Sequence, residues 1–181
     1  MKISVITTLY NRPEHLRLLV ASLLGQTRVP DELVVADDGS DEATVASMNR
    51  VLSGCGIPSK VVRQEKDGYR LAAARNKAIR ESAGDYLLFL DCDIALLPDA
   101  VDQHRRYSAP RRLLCGNRAL LDEVVTKALM AAVPSPSPED WEMAWAAADV
   151  AGLAEAARLF ARHAALRRWH VARPHKPKLL G

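Results

Sequence analysis

The sequence predicts an α/β domain, with a mostly parallel β-sheet that carries helices on both faces, followed by a mainly helical C-terminal segment. Two observations support this prediction. Strand and helix patterns alternate regularly over the first hundred residues, and short polar clusters follow the apolar runs that would form the strands. Such alternation is typical of parallel sheets, whose ligands bind at the carboxyl ends of the strands.

Four strands are predicted from apolar runs, at residues 3–7, 33–36, 61–62 and 86–90. The run at 86–90 is apolar throughout, as expected of a central strand that is buried on both faces. The helices between the strands are expected to begin after the N-cap Asn11, to span about 42–52, and to span about 71–82 with Gly84 as the stop.

The later part of the chain has a different pattern. Residues 113–115 predict one more strand, and a helix is expected at about 120–132. The Pro/Ser-rich stretch at 134–138 cannot continue a helix, whereas the Ala-rich residues 141–169 predict helix with a break near Gly152. The predicted organisation is a core at 1–133, a linker or loop at 134–140, and a helical segment with a basic tail at 141–181.

Composition indicates one globular domain. The chain has 181 residues, 49% of them apolar, and a net charge of only +3, which argues against a nucleic-acid-binding protein. We expect a cytoplasmic location, because the three scattered cysteines match no metal spacing and no apolar run is long enough to span a membrane. The basic tail after Glu155 is interpreted as a solvated helix face, with contact to anionic lipid headgroups or to a phosphorylated substrate as the alternative.

The motif Asp91-Cys92-Asp93 directly follows an apolar run. In an extended chain, residues i and i+2 point the same way, so both carboxylates are expected to face one ligand while Cys92 points elsewhere. Mg²⁺ or Mn²⁺ held by such carboxylates and by substrate phosphates would relieve their repulsion. The alternative for this short motif is a solvated pair at a strand end.

Two further clusters carry candidate ligand-binding groups. Asp37 and Asp38 end another predicted strand, where one carboxylate can cap the next helix and the other can accept hydrogen bonds from a nucleobase or a ribose. Arg75 lies near the start of a predicted helix and suits a phosphate, although pairing with Glu81 or Asp85 on the surface is the alternative.

Taken together and in order, these clusters resemble the family 2 inverting glycosyltransferases of the Rossmann-like GT-A fold. The matching runs are residues 5–12, 23–27, 35–40, 74–78, 84–86 and 89–93. The stretch Gly68-Tyr69-Arg70-Leu71-Ala72-Ala73-Ala74-Arg75-Asn76 is closest to the galactosyltransferase-type and chondroitin-polymerase-type subgroup. The resemblance extends over residues 3–100 and is weaker over 110–181.

The resemblance implies the following roles. The nucleotide-sugar site would be lined by Thr8, Tyr10, Arg12, Asp37, Asp38, Arg75 and Asp91. The cation, Mn²⁺ or Mg²⁺, would be held by Asp91 and Asp93. Asp38 would read the base, with uracil the usual partner, and Arg75 would approach the diphosphate. The family transfers the sugar to an acceptor hydroxyl with inversion, and the acceptor is expected to be a saccharide or a lipid-linked molecule.

The resemblance leaves the general base unidentified, because the family supplies that carboxylate from a second half that we do not recognise here. Glu139 and Asp140 are interpreted as a helix start. A truncated or non-catalytic nucleotide-sugar-binding module is therefore the second hypothesis, and exposed side chains of the helical segment would favour self-association. A dehydrogenase or an Asp-nucleophile phosphatase is disfavoured, since no G-x-G-x-x-G follows the first strand and Thr7-Thr8 stands where the nucleophile is expected.

Overall fold

The computed structural model describes residues 1–148, except 117, 119 and 122. Its centre is a four-stranded parallel sheet in the order β3-β2-β1-β4. The strands are β1 (Ile3–Leu9), β2 (Glu32–Asp37), β3 (Ser59–Arg63) and β4 (Tyr86–Asp91). All neighbouring strands pair in parallel, so the predicted α/β fold with a parallel sheet is confirmed.

Helices lie on both faces of this sheet. They are α1 (Pro13–Leu24), α2 (Glu42–Ser53), α3 (Leu71–Glu81), α4 (Ala100–Tyr107), α5 (Glu123–Ala132) and α6 (Pro138–Ala148). Strand side chains alternate between the faces: Val5 packs in a core with α1 and α2, whereas Ile6 packs with Ala74 and Ala78 of α3. The largest core therefore lies on the α1–α2 face.

Two predicted helix boundaries were wrong. Asn11 does not cap α1, because Arg12 occupies the N-cap position without a capping side-chain bond and Pro13 starts the helix. Helix α3 ends at Glu81 with Ser82 as its C-cap, before Gly84. Gly84 has a different role, since a Cβ there would lie 2.5 Å from the Ser4 hydroxyl oxygen. Close packing against β1 is what requires glycine at this position.

The prediction that residues 86–90 form a central, buried strand was wrong in its placement. Within the described residues, β4 lies at the edge of the sheet beside β1, and only Leu88 of its six residues is buried. Phe89, on the α3 side, is 46% exposed. A continuous apolar run therefore identified the strand correctly, but it did not identify the number of neighbours.

Helices α5 and α6 form an additional layer over α1. Trp141 is buried in a cluster with Leu18 and Ala21 of α1, and its ring lies so close to Gly25 that no side chain fits there. Arg17 of α1 donates hydrogen bonds to the carbonyl oxygens of Met130 and Pro134, at the end of α5 and just beyond it. The predicted exposure of tryptophan in this segment is therefore wrong for Trp141.

The remaining predictions for the later chain have mixed outcomes. Residues 113–115 form no strand, and α5 begins at Glu123 rather than near 120. Helix α6 begins at Pro138, inside the predicted linker. No helix in the described residues is long and apolar enough to cross a bilayer. The predicted break near Gly152 and the basic tail lie outside the described residues.

Candidate functional site

The carboxyl ends of β1, β2 and β4 meet at one edge of the sheet. Thr8 is in register with Ala36 on one side and with Asp91 on the other, and Leu9 is in register with Asp37. Parallel pairing thus brings the predicted polar clusters together, although Thr8 and Asp91 are 83 positions apart in the chain. This edge is the candidate functional site.

Asp37 is buried and has a structural environment. Its carboxylate is fully inaccessible and accepts the backbone N–H of Ser40 at 3.2 Å. The guanidinium of Arg63 lies 3.3 Å away and also binds Glu42. These contacts close the turn between β2 and α2. Helix α2 itself is capped by Asp41, whose side chain accepts a hydrogen bond from the Thr44 N–H. Asp37 thus holds this turn together, and its role in ligand binding stays a prediction.

Asp38 is the carboxylate of this pair that lies beside the other site residues. Its two oxygens accept hydrogen bonds from the Gln64 side-chain amide and from the Arg70 backbone N–H, and the Lys66 ammonium lies 3.9 Å away. Gln64 and Lys66 both follow β3. A carboxylate oxygen can accept two hydrogen bonds, so each oxygen of Asp38 keeps capacity for a ligand.

Tyr10 and Arg12 lie on the loop between β1 and α1, and both are exposed. Asn11, between them, has a φ of 49°, a left-handed conformation that asparagine tolerates better than most residues. Its backbone N–H donates to the Ser40 hydroxyl, and its side-chain oxygen accepts from the Asp41 N–H. Asn11 thereby fixes the Tyr10 loop to the turn that contains the two aspartates.

Asp91 is the last residue of β4 and lies among arginines. Arg75 of α3 donates to one carboxylate oxygen at 2.8 Å, and Arg118 lies 3.8 Å from the other. Arg75 therefore pairs with neither Glu81 nor Asp85, the partners considered for a surface arginine. Asp91 is 49% exposed, so both arginines and the carboxylate are accessible to a ligand.

Cys92 and Asp93 form a turn rather than an extension of β4, because the Ile94 N–H donates to the Asp91 carbonyl. The predicted separation of side chains nevertheless holds: Cys92 packs against the core, while Asp91 and Asp93 are exposed. Burial raises the pKa of the Cys92 thiol to about 11, and the Asp93 carboxylate acts in the same direction while Arg12 opposes it. Arg12 thus belongs to the electrostatic surroundings of this turn.

The donor set at this turn suits a hard divalent cation only in part. Carboxylate oxygens are the ligands that Mg²⁺ and Mn²⁺ prefer. Two carboxylates, those of Asp91 and Asp93, are available here. Across the residues described, no group of three or more acidic, His or Cys side chains is arranged to hold a metal ion. A cation bound here would therefore need ligands from phosphates or water as well.

Gln26 holds the segment that follows the Asp91–Asp93 turn. Its side chain donates to the carbonyl oxygens of Ser22 and Leu97 and accepts from the Val101 N–H. It is buried and joins the end of α1 to the segment that follows Asp93. Gln26, in the matching run 23–27, is thus a structural connection between these two segments.

Sequence reasoning missed three polar residues of the site: Gln64, Lys66 and Arg118. Each lies in a loop without a local motif, and each contacts an aspartate that is at least twenty-six residues away in the chain. One sequence signal could have indicated Lys66: it is a basic residue that follows shortly after the end of a predicted strand.

Comparisons with known proteins show the family of this chain. A sequence model described as glycosyl transferase family 2 matches residues 4–120. A chondroitin synthase of Escherichia coli is 33% identical over 143 residues, which are 73% of this chain and 21% of that protein. A hyaluronan synthase of Pasteurella multocida is 37% identical over 97 residues, 53% of this chain and 10% of that protein.

Solved structures show the same fold. The crystal structure of S. aureus TarS 1–349 in complex with UDP-GlcNAc superposes with a TM-score of 0.52 and 28% identity, covering 59% of this chain and 30% of that one. A complex of the same TarS fragment with UDP gives a TM-score of 0.50 and 27% identity. This chain spans less than a third of the length of each of these relatives.

Proposed function

Because the chain belongs to glycosyl transferase family 2, we propose that it binds a nucleoside-diphosphate sugar with a divalent cation and transfers the sugar to an acceptor hydroxyl with inversion. One observation carries the proposal: Tyr10, Asp38, Arg75 and the Asp91–Asp93 turn lie at a single sheet edge. Thr8 lies beneath them, 7% exposed. Binding at this edge is the general rule for parallel α/β sheets.

The base end of the donor is assigned to Asp38 and Tyr10. An ionised carboxylate only accepts hydrogen bonds, so Asp38 suits a base that presents an N–H, as uracil does. The exposed Tyr10 ring offers a face for stacking. UDP and UDP-GlcNAc, which occupy crystal structures of the similar TarS, support a UDP-sugar as the donor.

The diphosphate end is assigned to the arginines and the Asp91–Asp93 turn. Arg75 and Arg118 supply planar guanidinium groups that bind phosphate oxygens in pairs, and Arg12 adds a third positive charge nearby. Asp91 and Asp93 would hold Mn²⁺ or Mg²⁺, which would neutralise charge on the leaving diphosphate. Asp91 connects the arginines with the proposed cation site, since its carboxylate already binds Arg75.

The acceptor is proposed to be a saccharide or a lipid-linked molecule, and the location cytoplasmic. The general base remains unassigned: Ser137 caps the first turn of α6 by accepting from the Asp140 N–H, and Asp140 accepts from Ser135. Glu139 and Asp140 thus both lie in the first turn of α6, as predicted. A module that binds the donor without transferring it alone is the second candidate, and UDP-GlcNAc turnover by the purified chain separates the two.

Titration calorimetry with UDP in Mn²⁺, in Mg²⁺ and in EDTA tests the donor assignment. We expect binding that requires the cation and that Asp93→Ala weakens at least tenfold, since this variant removes one of two carboxylate ligands. Asp102→Ala, which removes a partly exposed acid from the first turn of α4, is the matched control and should bind like the wild type. If the affinity for UDP is the same with the cation as in EDTA, and the same in Asp93→Ala as in the wild type, the cation assignment is refuted.

The base assignment has a separate test. Asp38→Asn replaces an acceptor by an amide of the same shape, so we expect UDP binding to fall about tenfold or more because a hydrogen bond to a charged group is lost. Absence of UDP, GDP and CDP binding by the wild-type chain would overturn the proposed function as a whole.

A further inference from the structure

Lys66 occupies the face of Tyr10 that a nucleobase would need. Its ammonium nitrogen lies 3.6 Å from the centroid of the Tyr10 ring and 3.9 Å from a carboxylate oxygen of Asp38. A cation over a tyrosine ring is attracted by the π-electrons. Lys66 therefore bridges the two groups that we assign to the base.

The backbone of Lys66 is fixed at this place. Gly39 has a φ of +82°, and a Cβ on it would lie 2.6 Å from the Lys66 backbone nitrogen. Gln64 adds a second attachment, since its amide donates both to Asp38 and to the Arg70 carbonyl. The side chain, in contrast, is 38% exposed and can change its rotamer without moving the loop.

The hydrogen-bonding capacity around Asp38 is unequal. Both hydrogens of the Gln64 amide are used, and the Arg70 N–H already donates to the carboxylate. A lysine ammonium has three donors, and Lys66 uses only a loose ion pair and the contact with the ring. Lys66 is thus the group beside Asp38 that has donors to spare.

Building on the proposed function, we propose that Lys66 is a base-selecting residue. The stacking base takes its place on Tyr10, and the ammonium then donates to the base carbonyl that adjoins the N–H accepted by Asp38. Asp38 and Lys66 together form an acceptor beside a donor. This pair selects for bases in which a carbonyl adjoins an N–H.

Base chemistry makes the selection specific. Uracil and guanine both carry a ring N–H next to a carbonyl, whereas cytosine and adenine present a bare ring nitrogen next to an amino group. Cytosine would place an acceptor against the Asp38 carboxylate and a donor against the ammonium of Lys66. The chain should therefore discriminate UDP from CDP, and part of that discrimination should come from Lys66.

Lys66→Met tests the proposal in the full chain, because methionine keeps an apolar stem beside Tyr10 while removing the charge. Calorimetry with UDP and with CDP in Mn²⁺ should show UDP affinity falling about tenfold, the expected loss of a charged hydrogen bond, while CDP affinity changes less than about twofold. Lys127→Met on α5, whose lysine pairs only with Glu123 among the described residues, is the matched control and should leave both affinities unchanged.

The ratio of UDP to CDP affinity decides the outcome. A purely structural Lys66 would weaken or spare both nucleotides alike, so an unchanged ratio in a Lys66→Met chain that still binds UDP overturns this proposal alone. If the wild-type chain binds no nucleoside diphosphate, the proposed function fails and this inference fails with it. Thermal unfolding of the variant, expected to match the wild type, verifies that the comparison is made between folded proteins.

Discussion

Two pairs of aspartates lie at the same edge of the sheet, and their surroundings differ. At the end of β2, Asp37 and Asp38 are at most 3% exposed, and protein groups occupy both carboxylates. At the end of β4, Asp91 is 49% exposed and is held by arginines whose side chains are themselves accessible. The β2 pair is therefore part of the folded framework, although each oxygen of Asp38 keeps capacity for one more hydrogen bond. The β4 pair, in contrast, is available to exchange its present partners for a ligand.

The largest effect on stability is expected at the framework pair. Asp37→Ala would leave the Ser40 N–H without its acceptor and Arg63 without one of its carboxylates, so the free energy of unfolding should fall by about 2–4 kcal/mol. Urea denaturation measures this loss. A loss below about 1 kcal/mol would mean that the β2 turn does not depend on Asp37 and would weaken the contrast with β4.

Gln26 tests whether the exposed β4 turn nevertheless rests on a rigid base. Gln26→Leu has a similar volume but removes three hydrogen bonds to backbone groups, and we expect a loss of about 1–3 kcal/mol in urea denaturation. Gln103→Leu on α4, where the amide bonds only to the side chain of Asp99, is the control and should change stability by less than about 0.5 kcal/mol. Equal losses in the two variants would contradict the supporting role.

The sequence predicted the fold where the signal is local. Strand–helix alternation identified all four strands, and parallel pairing followed from the helical connections. The number of strands beside each strand could not be predicted in the same way. The apolar run of β4 does not reveal that, among the described residues, β4 has only β1 beside it. Likewise, the local sequence of α1 does not reveal that Leu18 and Ala21 are buried, because the residues that cover them belong to α5 and α6.

The site divides along the same line. The aspartates were identified at the ends of predicted strands and Arg75 near the start of a predicted helix, and their roles in binding stay predictions. Lys66 and Arg118 could not be identified, because their significance comes from contacts with Asp38 and Asp91 across long stretches of chain. Asp37 and Asp38 look alike in sequence, and only the three-dimensional contacts show that Arg63 pairs with Asp37 while Lys66 lies beside Asp38.

A smaller, pH-dependent effect is expected behind β4. The Tyr86 hydroxyl is 2.7 Å from Nδ1 of His104, and burial lowers the pKa of His104 from 6.5. The unfolded chain thus binds a proton at higher pH than the folded chain does. The stability that neutral His104 contributes is complete above pH 6.5 and decreases as the pH falls towards the folded pKa.

Urea denaturation between about pH 7 and about pH 5, where histidine is the side chain that ordinarily titrates, measures this slope. His104→Gln keeps a neutral hydrogen-bonding side chain but cannot be protonated, so its stability should depend less on pH over that interval. The same slope in both proteins would show that another group is responsible.

The smallest effect on stability, and the sharpest test of the comparison, is expected for Asp91→Asn. Exposed ion pairs contribute about 0–1 kcal/mol, so removing the charge that Arg75 and Arg118 share should change the free energy of unfolding by less than about 0.5 kcal/mol. UDP binding in Mn²⁺ should nevertheless fall at least tenfold, because the variant removes a proposed cation ligand. Function and stability would then separate at Asp91 and coincide at Asp37. A loss of stability at Asp91 as large as that at Asp37 would mean that both aspartate pairs belong to the framework, and the β4 turn would no longer be distinguished by its freedom to exchange partners.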